Sequence, residues 1–410
     1  MISPLPQAAA ANTVNVRLPI RGLHPQLIQW RRQFHQYPEL GFQEELTAGK
    51  IAGALAHHGI EHHTGIAKTG VMAIIDSGKP GPVLAIRADM DALPVQEENE
   101  VDYRSRHAGK MHACGHDGHT AIALGAAQYL AQHRDSFRGQ VKIFFQPAEE
   151  GPGGAKPMIE AGVLEAPKVD AIIGLHLWND LPVGTVGVKE GPVMAAVEHF
   201  ECQLFGKGGH GAMPHQTVDT LVLSAQIVTA LQTIVSRNVD PLQSAVVTVG
   251  ELKAGSAFNV IADSAYFRGT VRYFDPKFAG YFSQRMETVV KGICQAHGAD
   301  YRWQYEEIYP PVVNDRRLVA LVREAAADVM VNADALIPDY QTLAGEDMSF
   351  FLQAIPGCYF FLGSANAGLG LNYPHHHPRF DFDESVLPIG VELFVRCVER
   401  FGNAQLENYQ

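Results

Sequence analysis

Ala171-Ile172-Ile173-Gly174-Leu175-His176-Leu177 is an almost unbroken apolar run, and Val141-Lys142-Ile143-Phe144-Phe145 upstream has much the same character. Strands without polar alternation are covered on both faces, so these two predict a parallel or mixed sheet. Thr120 to His133, just before them, has helical patterning. Farther upstream, Val71 to Asp76 and Val83 to Ile86 read as a hairpin joined by Ser77-Gly78-Lys79-Pro80-Gly81-Pro82. Leu27, Trp30 and Phe34, then Leu46, Ile51 and Leu55, recur at helical spacing on either side of a turn at Tyr37-Pro38-Glu39-Leu40-Gly41.

The pattern changes near Glu198. Phe200, Cys202 and Leu204 face one way, a Gly-rich turn follows, and Val218 to Val235 is a long amphipathic helix. Strands at Ala245 to Val249 and Ala265 to Val271, a helix from Phe278 to His297 and an extended Tyr301 to Tyr305 complete a β-α-β-β-α-β order, the ferredoxin-like pattern. A helix at Leu318 to Val331 and a strand at Cys358 to Leu362 then rejoin the first sheet. The expected fold is therefore α/β, a mixed-sheet domain of residues 1–194 and 308–410 with a ferredoxin-like α+β domain inserted at 195–307.

With 410 residues, 46% hydrophobic and 19% charged, the chain buries a large core, which excludes disorder. A formal net charge of −12 without any basic run excludes a phosphate-backbone ligand. The five cysteines (Cys114, Cys202, Cys294, Cys358, Cys397) are scattered, odd in number and without CxxC spacing, so they fit neither a disulfide framework nor an all-cysteine zinc site. No apolar stretch reaches the roughly 18 residues of a membrane span, and no basic segment leads into an apolar core at the N-terminus. The expectation is a cytoplasmic protein with no membrane contact, and Met1 to Ala11 reads as a frayed tail.

Polar clusters follow the predicted strands: Asp89-Met90-Asp91, Glu149-Glu150, His176, and His375-His376-His377. In open α/β sheets the ligand crevice lies at the carboxyl ends of strands, so these clusters can converge. His112-Ala113-Cys114-Gly115-His116-Asp117-Gly118-His119 is the densest set and leads into the helix expected near Thr120. Cys114 and His116 offer thiolate and imidazole to one metal ion, while an adjacent glutamate pair can divide ligation from proton transfer. Singly each has a plainer reading: Cys114 as a small buried hydrophobe, Glu149-Glu150 as a solvated pair, His176 as a hydrogen-bonded core residue, the triple histidine as a surface loop. Their joint placement favours a metal site that activates water for amide hydrolysis. His57, His58, His62 and His63 read as surface residues on a helix end and turn.

Arg87-Ala88-Asp89-Met90-Asp91-Ala92-Leu93-Pro94, the His112 to His119 stretch, Gln146-Pro147-Ala148-Glu149-Glu150-Gly151 and Gly174-Leu175-His176 resemble the motifs of the M20 metallopeptidase family. The likeness is greatest to its aminoacylase branch of N-acyl-amino-acid amidohydrolases, hippurate hydrolases, related carboxypeptidases and hydrolases of indoleacetic-acid conjugates, and runs from about His24 to Val398. It implies a catalytic domain of zinc-exopeptidase type with the inserted domain as lid and dimerisation surface. It further implies two divalent ions held by Cys114, His116, Glu150, His176 and a C-terminal histidine, with Glu149 as general base and acid. His376, two residues before Pro378, stands in the family's ligand position, with His375 and His377 as alternatives. More distant members have a histidine where Arg87 stands and an aspartate where Cys114 stands, so zinc, manganese, cobalt and nickel all stay open. By the same likeness His210 reaches the partner subunit's site to stabilise the oxyanion, Asn259 contacts substrate, and Arg272 clamps its carboxylate.

Three competing readings remain. Gly206 to Gly211 formally matches GxGxxG, but the helix is delayed and no acidic residue follows at about 20 residues. A hydrolase using Cys114 as nucleophile would leave Glu149, Glu150 and His176 without a role. A non-catalytic metal-binding scaffold would have no need of a second carboxylate beside Glu150. The expected activity is metal-dependent cleavage of an N-acyl-L-amino acid by a homodimer, with a carboxypeptidase or dipeptidase of the same family as the alternative.

Overall fold

The computed structural model describes residues 14–403, which form two compact units. One contains the chain up to Gly191, Val313–Tyr340 and the chain from Phe350; the other contains Pro192–Val312 and Gln341–Ser349. Met1 to Ala11, read from sequence as a frayed tail, lies outside the described residues.

In the first unit the main strands are β1 (Glu61–Ile66), β2 (Gly70–Asp76), β3 (Val83–Asp89), β4 (Gln140–Gln146) and β5 (Ala171–Pro182). The second unit holds β6 (Val197–Phe205), β7 (Ala245–Ala254), β8 (Ser264–Tyr273) and β9 (Asp300–Tyr309), after which β10 (Gly357–Ala365) returns to the first. The principal helices are α1 (His24–Gln36), α2 (Glu45–His57), α3 (His116–Gln132), α4 (Thr220–Asn238), α5 (Tyr281–His297), α6 (Arg316–Val329) and α7 (Leu387–Asn403).

The large sheet has eight strands in the order β1-β2-β4-β3-β5-β10, continued by short strands at Val186–Gly187 and Leu336–Ile337. Its centre is parallel, β4 to β3, β3 to β5 and β5 to β10, while β1 and β2 run antiparallel at one edge. This is the mixed α/β sheet expected from the apolar runs. β3 and β10 are almost wholly buried, as strands covered on both faces must be. Helix α3 packs against α1 and α7, and α7 also packs against α6.

Several local expectations need correction. β2 and β3 do not form a hairpin, because β4 lies between them. The Ser77–Pro82 loop instead arches over the start of β4, with Gly139 N–H donating to Lys79 O at 3.0 Å. His62 and His63 lie on edge strand β1 and not on a turn. Helix α3 begins at His116, four residues earlier than expected, so two of the motif's histidines lie in its first turn. His176, moreover, is not the end of a strand: β5 runs on to Pro182, but its pairing with β3 stops at Arg87↔Gly174, so His176 still stands beyond its neighbour's last rung.

The second unit is a four-stranded antiparallel sheet in the order β7-β8-β6-β9, with α4 and α5 on one face. With α4 and α5 as its helices it has the β-α-β-β-α-β order read from sequence. Phe200, Cys202 and Leu204 alternate inward against Leu223, Ile227, Phe282 and Met286. The Gly206–Gly211 segment does not open onto a helix: Gly209 and His210 pair with Ile261 and Val260, and α4 starts only at Thr220 behind an Asp219 cap. The glycines therefore do not lead directly into a helix, as the dinucleotide-binding fingerprint requires.

Gly269 marks a close approach within this sheet. A Cβ there would stand 1.9 Å from Thr248 O and 2.5 Å from a ring carbon of Phe200, and the first of these is backbone that cannot yield without disturbing the β7–β8 ladder. Gly269→Ala should destabilise the second unit by roughly 1–3 kcal/mol, as overpacked cores do. An unchanged calorimetric melting profile would contradict this account.

Candidate metal centre

The centre is assembled where the strands of the large sheet end. β3 delivers Asp89 and, just past its end, Asp91; the loop after β4 delivers Glu149 and Glu150; β5 delivers His176. Gly115 takes a left-handed conformation (φ 94°), which turns the chain between Cys114 and the first helical residue, His116. His376 arrives from the segment after β10, itself at φ 64°, and its backbone N–H donates to Ala113 O at 2.8 Å. That bond fastens the C-terminal segment beside Cys114.

Two trios of ligand atoms, each within 4.8 Å of one another, share Cys114: Cys114, His116 and His176 form one, and Cys114, Glu150 and His376 the other. Cys114 Sγ is 3.5 Å from His176 Nε2, and Glu150 Oε1 is 3.3 Å from His376 Nε2. His116 Nε2 lies 3.9 Å from both Glu149 Oε2 and Glu150 Oε1. The residue types are those of a nitrogen, sulfur and oxygen site for a divalent transition metal.

Buried polar atoms normally find partners, yet His116 Nε2 has no hydrogen-bond partner, and Glu150 Oε1 has no hydrogen bond beyond its 3.3 Å ion-pair approach to His376 Nε2. Both belong to the ligand trios, so these residues fit a cation that would satisfy them. The charges agree. Burial works against a charged His116, but Asp89 and Asp91 hold its pKa up at about 10, the response of an imidazole to an excess of buried carboxylate. Burial pushes the Cys114 thiol well up, and Glu150, Glu149 and Asp89 push it further, the opposite of what an activated cysteine nucleophile needs.

Of the three C-terminal histidines, only His376 enters a ligand trio among the described residues. His375 stacks on Trp178 with ring centroids 4.4 Å apart and donates from Nε2 to Leu177 O at 2.9 Å. His377 stacks on Tyr373. His119, though close to Asp89 and His116, has both ring nitrogens engaged: Nδ1 lies 2.5 Å from Asp89 Oδ1, and Nε2 accepts the Leu177 N–H at 2.8 Å. His119 is thus a strut from β3 to the residue beside His176. His210, Asn259 and Arg272 all lie in the second unit. There the Gly211 N–H donates to Asn259 O at 2.8 Å beside the His210↔Val260 rung, and the Arg272 guanidinium donates to Thr270 Oγ1 and, at 3.1 Å, to Val271 O.

The match to peptidase family M20/M25/M40 spans residues 85–400, from β3 through α7. The chain belongs to this family. Among its M20 relatives, the chain is 50% identical over 289 residues to an N-acyl-L-amino acid amidohydrolase of Geobacillus stearothermophilus, covering 70% of this chain and 78% of that protein. It is 44% identical to an N-acetyl-L-cysteine deacetylase of Bacillus subtilis, covering 89% and 85% respectively. The crystal structure of a dinuclear metal-binding M20 peptidase of Bacillus subtilis superposes with a TM-score of 0.82 at 37% identity, covering 94% of this chain and all (100%) of that one.

Sequence reasoning passed over the layer that carries these M20 motifs. Arg31 of α1, fully buried, donates to Asp117 at 2.9 Å and Asp381 at 2.6 Å, and lies 3.2 Å from Glu384. His35, one turn on, bridges Asp117 at 2.8 Å and Glu97 at 3.2 Å. Asp117 adjoins His116, and Asp381 follows His376 by five residues, so Arg31 ties together the segments carrying two of the candidate ligands. Asp117 sits inside a quoted motif, but nothing in the sequence pairs it with Arg31.

Burial alone would lower the His35 pKa, but its bonds to Asp117 and Glu97 raise it to about 9. A group held above its unfolded value near 6.5 stabilises the fold fully below that value, and the contribution is lost as pH rises through about 9. Urea unfolding of the wild type should therefore show stability falling between pH 6.5 and 9. His35→Gln should flatten that decline, and an equal slope in both proteins would refute the assignment.

Proposed function

We propose that the protein is a metal-dependent amidohydrolase that cleaves N-acyl-L-amino acids to a carboxylate and a free amino acid. The observation that supports this most directly is the pair of ligand trios sharing Cys114, with Glu149 beside Glu150 at their edge. The activities in the names of the M20 relatives point the same way. When bound, two divalent ions (zinc, manganese, cobalt or nickel) supply Lewis-acid polarisation of the scissile carbonyl and a lowered water pKa.

The protein's own residues do the rest. Cys114, His116 and His176 would hold one ion, and Cys114, Glu150 and His376 the other. Glu149, buried but not needed in either trio, takes the proton from the attacking water and delivers it to the leaving nitrogen. In the second unit the Ala212 N–H donates to His210 Nδ1 at 3.0 Å, which leaves the proton on Nε2, the tautomer able to donate to a developing oxyanion. Asn259 contacts the substrate near its carboxylate or scissile carbonyl, and Arg272 clamps the carboxylate.

The working assembly is inferred to be a homodimer formed through the second unit, with His210 serving the other subunit's centre. β7 is an outer strand of that unit's sheet and carries exposed Val246 and Leu252, a surface suited to isologous pairing. No helix among the described residues is long and apolar enough to cross a membrane, and all five cysteines are free, in keeping with action in a reducing cytoplasm.

Release of amino acid from acetyl, benzoyl and long-chain acyl substrates should vanish on chelation and return with one of the four metals. Persistence after chelation would sink the proposal. Glu149→Gln should lower turnover by about 10²–10⁴-fold while metal content stays near that of the wild type. Parallel loss of metal would make Glu149 a ligand instead. A mixed dimer of His210→Ala and Glu149→Gln chains should regain activity, and no recovery would place His210 in its own subunit's centre.

A further inference from the structure

The loop after β4 is anchored in an unusual way. Three consecutive backbone N–H groups, those of Ala148, Glu149 and Glu150, all donate to buried carboxylates. Ala148 donates to Glu44 Oε1 at 2.9 Å, Glu149 to Asp91 Oδ1 at 3.0 Å and Glu150 to Asp91 Oδ2 at 3.0 Å. Ala148 adopts φ 55°, and successive amides in such a turn form a concave nest that receives an anion. Here the anion is a side chain of the protein. Asp91 and Glu44 are buried, and neither enters a ligand trio. Asp91 also acts through its backbone, where the carbonyl accepts the His116 Nδ1–H at 2.9 Å. That bond fixes the tautomer in which His116 Nε2, without a hydrogen-bond partner, is available to a metal.

We infer that Asp91 is the positioning residue of the centre, its carboxylate setting the backbone of Glu149 and Glu150 while its carbonyl orients His116. It belongs to none of the groups of ligand atoms found among the described residues. It acts through the base and through ligands from two separate segments, joined at a single residue at the end of β3. The inference rests on the proposed hydrolase reading, since only there do Glu149, Glu150 and His116 have roles to be set.

Asp91→Asn separates this from a general structural role. The amide is isosteric but has one acceptor oxygen, and its NH₂ faces a second N–H donor, so either Glu149 or Glu150 loses its anchor. Metal affinity, measured by chelator competition on the folded protein, should fall about 10–100-fold, with kcat falling alongside and KM little changed. Glu44→Gln should remain close to wild type in the same assay, because its oxygen still accepts from Ala148 and the Thr69 hydroxyl, which now donates to Glu44 at 2.6 Å, can turn to accept instead. Folded Asp91→Asn with wild-type metal affinity and kcat would overturn the inference, as would equal losses in both variants. Should Asp91→Asn fail to fold, hydrogen exchange on the wild type decides: the Glu149 and Glu150 amides should be strongly protected, and rapid exchange there would refute the anchoring. A wild type that bound no divalent metal would fail the hydrolase reading while leaving the amide protection intact, so the two failures are distinguishable.

Discussion

One buried guanidinium holds the first unit's functional end in register. Arg31 has lost all contact with water, and such a charge is tolerated only where opposite charges and hydrogen bonds replace the hydration it gave up. Asp117, Asp381 and Glu384 do so from two distant stretches of chain, and the rings of Tyr103 and Phe382 cover its faces. Removing one partner would strand the rest without compensation, which makes the arrangement an all-or-none tie between α1, the start of α3 and the segment after β10. Two of the candidate ligands, His116 and His376, ride on the segments so tied.

Around that tie the centre is built in two layers. The inner layer is a set of side chains with unsatisfied or mutually repelling groups, which a cation would reconcile. The outer layer is satisfied in the protein alone. His119 spans Asp89 and the Leu177 amide, Arg87 pairs with Asp89 at 2.6 Å, and the carbonyl of Asp91 receives His116. These bonded supports let an incomplete inner layer persist, because they hold its atoms where they cannot move to relieve the shortfall.

Much of this was legible in the sequence, for a physical reason. Strand burial on both faces leaves an apolar run, and the α/β rule puts ligands at strand ends, so the Glu149 and His176 clusters could be placed together on paper, with the Cys114 cluster leading into a helix beside them. The ferredoxin-like order of β6 to β9 was equally legible because each of its elements has one buried face and a regular period. The misread pair β2 and β3 shows the limit: turn chemistry is local, but the insertion of β4 between them is decided by a segment more than fifty residues later. Edge strand β1 escaped notice because it buries no continuous face, and its histidines gave no period to detect. Arg31, His119 and Asp91 were invisible as supports because a hydrogen bond between segments far apart in sequence leaves no mark on either one.

The shared position of Cys114 has its counterpart in the order in which the chain is made. β5 pairs on one side with β3, synthesised shortly before it, and on the other with β10, which follows only after the whole second unit. A nascent chain must therefore carry an open, apolar edge on β5 while the ferredoxin-like unit, whose sheet is complete by Tyr309, is already able to close on itself. His376 emerges later still. The outermost of the candidate ligands is thus also the last to be made, and a fully assembled centre is a record that translation has passed the second unit and β10 and that the strands have found their register.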